Sequence, residues 1–123
     1  MLASSIGWIL IVSGVITIGG GLAALFSPAL FLRFGFGVEN PTGPALFFAC
    51  HWGVLIIAFG TLIVYSANAP AIRAPILMAA AIEKFALGIF VFFGPVKRTG
   101  AMTAIATLDS IFALLYVAYL AGF

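Results

Sequence analysis

Four stretches of this chain are apolar for long enough to cross a bilayer, and that pattern leaves few folds open to it. From Ile6 to Phe26 there is no charged residue, enough chain for one helical span of a hydrocarbon core about 30 Å thick. Further runs cover residues 45–65, 75–93 and 101–120. Only 7% of the residues are charged and 65% are hydrophobic, against about 25% charged in an ordinary soluble domain. A soluble fold has too little polar surface here to face water, whereas helices satisfy their own backbone groups in lipid. The expected fold is therefore all-α: a polytopic membrane protein, a single domain over residues 1–123, built as a four-transmembrane-helix up-down-up-down bundle.

The connections read as follows. Pro28 ends the first span, and the segment from Pro28 to Gly37 mixes aromatics with Arg33, a composition suited to the interface plane. Glu39-Asn-Pro-Thr-Gly-Pro is the most turn-like stretch. Asn68, Pro70 and Pro75 punctuate a second turn that holds Arg73, and residues 94–100 form a tight basic turn with Lys97 and Arg98. The first span is expected to be a retained helix: no Lys or Arg precedes it, and its apolar run exceeds that of a signal peptide. Arg33, Lys97 and Arg98 fall on one side and Arg73 on the other with the termini, which favours termini outside.

Ser13, Thr17 and Gly21 recur every four residues and so share one helical face, a small-residue stripe open to close approach by another helix. Trp52, Tyr65, Tyr116 and Tyr119 fit the aromatic belts at the membrane boundaries, as does Trp8.

An ionisable residue at the bilayer centre costs at least about 2.5–3.5 kcal/mol on insertion scales. Glu83, Lys84 and Asp109 all fall near the midplane, so they are expected to pair or meet polar groups inside the bundle. Lys84 can neutralise one carboxylate only. Residues 83 and 84 point about 100° apart on a helix. The expected division therefore has Lys84 facing Asp109, with Ala80 and Gly88 clearing space on its face, and Glu83 turned toward the first or second span. His51 and Trp52 sit near the start of the second span, with His51 about 7 Å from the midplane at 1.5 Å per residue. Glu83, Lys84, Asp109, His51 and Trp52 are thus the candidates for ligand binding or proton relay. They can also be read as structural glue that fixes helix register.

Other chemistries find little support. A net charge of +2, scattered along the chain, does not point to nucleic acid. One cysteine, Cys50, and one histidine supply no disulfide, paired redox site, bis-histidine haem site or metal cluster. No serine–histidine–aspartate spacing or glycine-rich phosphate loop is present. The sequence assigns no cofactor and no catalytic residue.

Gly21-Leu-Ala-Ala-Leu-Phe-Ser-Pro-Ala-Leu-Phe at the end of the first span and Phe47-Phe-Ala-Cys-His-Trp-Gly in the second resemble segments of the DoxX-like small four-helix bacterial membrane proteins. The hydropathy likeness runs over nearly the whole chain. That resemblance implies a bacterial inner (plasma) membrane and, for some members, a role as a small subunit of a membrane oxidoreductase; it implies no site residues. A more distant likeness is to EXPERA-type bundles, which hold acids, a histidine and a tryptophan in a lipophilic cavity, as Glu83, Asp109, His51 and Trp52 would.

Three functional expectations follow. The first is a non-enzymatic membrane subunit or lipophilic-ligand-binding protein with a polar pocket at the midplane, with a lipophilic small molecule, a homo-oligomer or a larger membrane complex as partner. The second is a membrane enzyme on a lipophilic substrate, of isomerase or oxidoreductase-accessory type, using a protonated Glu83 or Asp109 as general acid. The third is a proton-coupled small transporter or channel relaying through the same residues.

Overall fold

A computed structural model describes residues 2–95 and 97–123. Their order is α1 (Leu2–Phe26), α2 (Pro28–Phe36), α3 (Gly43–Ser66), α4 (Pro70–Phe93) and α5 (Gly100–Leu120). Among the described residues, α1, α3, α4 and α5 are the helices long and apolar enough to span a membrane. At 1.5 Å per residue, even the 21 residues of α5 reach about 31 Å. The protein is an all-α, four-span integral membrane bundle. The amide of Leu2 donates to the carbonyl of Phe123 at 3.2 Å, which places both ends of the bundle's chain on one side.

The bundle is inside-out relative to a soluble protein. On α4, Ile82 is 69% exposed while Lys84, two residues on, is 1% exposed. Phe26, Phe47, Phe48, Phe90 and Phe93 also face outward. Such an outer surface is stable against lipid tails and would not be against water.

α1 packs chiefly on α3, and α4 on α5. The first seam is made of backbone. A Cβ added to Gly60 would lie 2.8 Å from the Gly14 carbonyl oxygen, and one added to Gly53 would lie 2.7 Å from that of Gly21. Gly14 and Gly21 are seven residues apart, as are Gly53 and Gly60, so the two contacts repeat once per heptad along antiparallel helices. Without a hydrophobic drive between helices in lipid, dispersion contacts of this closeness provide much of the association. The expected stripe is divided between partners. Gly21 meets α3, whereas the Ser13 and Thr17 side chains turn to the α4–α5 half of the interior.

Two sequence expectations need correction. The turn expected around Pro70–Pro75 is the start of α4, and Arg73 lies inside that helix. Pro70 occupies the opening of the helix, where its missing N–H costs nothing, and Pro75 lies inside the helix in its second turn, where it removes the bond to the Ala71 carbonyl. Arg73 is buried: Nε donates to the Ser66 carbonyl at 2.9 Å, Nη2 to the Ala67 carbonyl at 2.9 Å, and Nη1 to the Tyr119 hydroxyl at 3.0 Å. It thus holds two carbonyls where α3 ends, that of Ala67 and that of Ser66, which also accepts from the Ala69 amide at 3.3 Å. The second correction is Tyr116, which is not a belt residue. It is fully buried, and its hydroxyl donates to Ser13 Oγ.

The connection after α1 contains the short helix α2, closed by Gly37 at φ 70°, whose amide and that of Val38 bond back to the Arg33 and Leu32 carbonyls. Thr99 caps α5 by accepting from the Met102 amide at 3.1 Å, and its hydroxyl donates to the Gly35 carbonyl at 2.6 Å. One threonine therefore ties α2 to the start of α5.

Candidate functional site

The interior polar groups form a line between α1 and the α4–α5 pair. Lys84 Nζ donates to Asp109 Oδ1 at 3.1 Å and to Thr17 Oγ1 at 3.0 Å. Thr17 Oγ1 in turn donates to the Ser13 carbonyl at 2.8 Å. A hydroxyl suits this place because it accepts from the ammonium while its proton occupies a helix carbonyl. Ala80 and Gly88, one turn either side of Lys84, are buried, and the space that a Cβ on Gly88 would take is occupied by Ser110 Oγ of α5, 2.7 Å away. The ammonium is desolvated, but a carboxylate and a hydroxyl replace part of its hydration.

Glu83 faces a different direction, as the 100° step requires. It has no hydrogen-bond or salt-bridge partner among the described residues. Its carboxyl opens into a cavity of about 220 Å³ bounded by α1, α3, α4 and α5. Thr17, Glu83 and Asp109 supply the polar part of the lining, while Ile16, Ile56, Leu87 and the Trp52 ring are among its apolar walls. Glu83 lies 13 residues into a 24-residue helix, by the difference 83 − 70, so the cavity sits near the middle of the span. A small polar site enclosed by apolar walls is a common form of ligand pocket.

The five candidate residues do not all converge. Glu83, Asp109 and Trp52 line the cavity, and Lys84 lies behind it, committed to Asp109 and Thr17. His51 does not line it. Its side chain is exposed on the outer face of α3, where it stacks on Phe47 with ring centroids 6.1 Å apart. Trp52 is half-buried and stacks on Phe31 of α2 at 5.2 Å. Among the described residues, no group of three His, Cys, Asp or Glu side chains could hold a metal ion.

In the sequence Thr17 and Ser13 stand out only as small residues. Their hydroxyls at positions i and i+4 carried the missing signal, since a polar face on an otherwise apolar span points toward polar company.

These features define a class, a four-span membrane bundle with a charged interior and a cavity at mid-depth. No protein-family model, curated protein or solved structure matches the chain.

Proposed function

We propose that this protein is a non-enzymatic membrane protein that binds a small lipophilic molecule in the cavity beside Glu83, either alone or as a subunit of a membrane complex. The observation that carries this reading is Glu83 itself. Its carboxyl sits at mid-span without a partner among the described residues, and it lines a cavity whose other polar groups are Thr17 and Asp109 and whose remaining walls are apolar. A group that costs this much to insert is retained where something compensates it. A ligand with one hydrogen-bonding group on an apolar body would do so, with the carboxyl taking the polar group and Ile16, Ile56, Leu87 and Trp52 taking the rest.

Binding is favoured over acid–base turnover by the position of His51. A histidine outside the cavity is not placed to exchange a proton directly with a group bound beside Glu83, and the other ionisable groups there, Lys84 and Asp109, are paired with each other. A bacterial inner membrane is the proposed location. An orientation with Arg33, Lys97 and Arg98 on the cytoplasmic side is supported by the state of Arg73. That residue, the one cation opposing the other three, serves as a helix-end ligand and does not act as a loop charge.

Native mass spectrometry of the protein in mild detergent, with lipid extraction of the same sample, tests the proposal. A co-purifying lipophile should appear on the wild type and be reduced at least about tenfold by Glu83→Gln, the loss of one charge-assisted polar contact. Assembly should persist in that variant. Equal retention by the two proteins, or a clean protein carrying bulk lipid only, would overturn the reading.

A further inference from the structure

A second concavity lies apart from the Glu83 carboxyl, on the side of the bundle where α2 leans over α3 and α4. It encloses about 480 Å³ and is walled by apolar side chains from α2 (Phe31, Leu32, Phe36), α3 (Ala45, Phe48) and α4 (Leu87). One lining residue is charged, Lys97, and it stands at the mouth. The lysine crosses over Gly37, where a Cβ would sit 3.0 Å from Lys97 Cδ. The positive φ and missing side chain of Gly37 therefore let the ammonium reach the groove.

The depth of the groove is informative. Its lining on α3 runs from Ala45 to Trp52, seven residues by the difference 52 − 45, with Lys97 beyond the end of α4. That length of helix spans about 10 Å, about a third of a hydrocarbon core about 30 Å thick. The groove thus lies within one leaflet. Among the described lining residues its one charge is Lys97, beyond the end of the α4 span, and Trp52 and Leu87 wall both this groove and the Glu83 cavity. The same end of the bundle carries Arg33 and Arg98, both exposed, against the single acid Glu39. A cationic rim on an apolar slot is complementary to an anionic headgroup and the upper part of its acyl chain.

We infer that this groove is a binding site for an anionic phospholipid, one acyl chain lying along Phe31, Phe48 and Leu87 and the phosphate held by Lys97. The site stands independently of the ligand assigned to Glu83. α2 forms its outer wall, and the Thr99–Gly35 hydrogen bond holds that wall against the start of α5.

The test uses the full-length protein in nanodiscs of equal parts phosphatidylglycerol and phosphatidylcholine with identical chains. Lipids retained after gas-phase release are counted by native mass spectrometry. The wild type should keep one phosphatidylglycerol in preference to phosphatidylcholine. Lys97→Gln, at an exposed position that leaves folding intact, should lower that preference about fivefold, the effect of one basic residue near an anionic surface. Ala45→Phe, which fills the slot, should remove retention of both lipids, while Glu83→Gln should leave it unchanged. Inorganic phosphate at 20 mM should not displace the retained lipid. Retention in the bilayer's own ratio, a preference untouched by Lys97→Gln, or displacement by free phosphate would each overturn the assignment.

Discussion

Along α1 and α3 the helices meet at backbone, Gly14 against Gly60 and Gly21 against Gly53; along α4 and α5 they meet through charged side chains, Lys84 with Asp109 and Arg73 with Tyr119. The two seams differ in what they tolerate. A glycine seam depends on the absence of atoms, so any added side chain forces the helices apart. A polar seam depends on matched partners, so a change is harmful when it leaves one of them alone. The cavity lies where the two meet, with walls from both helix pairs. Its apolar lining comes from all four spans, and its two carboxyls come from the polar pair.

The largest effect is therefore expected from filling the backbone seam. Gly60→Leu should cost more than about 3 kcal/mol, beyond the usual range for overpacking, because behind the Ile18 side chain at 2.6 Å the Cβ also meets backbone that cannot swing away, the Gly14 carbonyl oxygen at 2.8 Å and the Ile18 amide nitrogen at 2.9 Å. Loss of the monodisperse peak in detergent and of resistance to unfolding in SDS would register it. If Gly60→Leu assembled normally, the contrast between the seams would fail.

Breaking the polar seam on one side should come next. Lys84→Met leaves the Asp109 carboxylate in the interior without a partner among the described residues, a loss of about 3 kcal/mol by analogy with broken buried pairs. Combining it with Asp109→Leu should recover most of that loss. A double-mutant cycle on unfolding in SDS checks this, and additive costs would show that the pair is not coupled.

Arg73→Gln should cost less, about 1–2 kcal/mol for the carbonyl contacts at the end of α3. Faster hydrogen exchange confined to residues near Ser66 would mark it, whereas uniform exchange along α3 would argue against a capping role. Tyr116→Phe removes one interhelical hydrogen bond to Ser13 and should cost about 0.6–1.7 kcal/mol, read from the same unfolding curves. His51→Ala should change stability by less than about 0.5 kcal/mol, since the ring is exposed on the outer face of α3. A large loss there would mean that the outer face of α3 is covered in the membrane.

The sequence by itself determined that this chain crosses a bilayer four times. It did so through uninterrupted apolar length, a local property that no packing arrangement alters. It also determined which residues share a helix face, so that Ala80, Lys84 and Gly88 lie together and Glu83 points elsewhere, because 3.6 residues make a turn wherever the helix sits. It misplaced the start of α4, since Pro70, Arg73 and Pro75 resemble a turn until the carbonyls that Arg73 satisfies are known. Only the tertiary structure decided that Ser13 and Thr17 face polar partners and not α3, that Tyr116 is buried, and that His51 lies outside the cavity. It also decided that Phe31 of α2 stacks on Trp52 in the wall of the groove. Each of these depends on the rotation of one helix about its axis relative to its neighbours. That rotation is set by the glycine contacts and the interior hydrogen bonds acting together, at distances along the chain that no local pattern reaches.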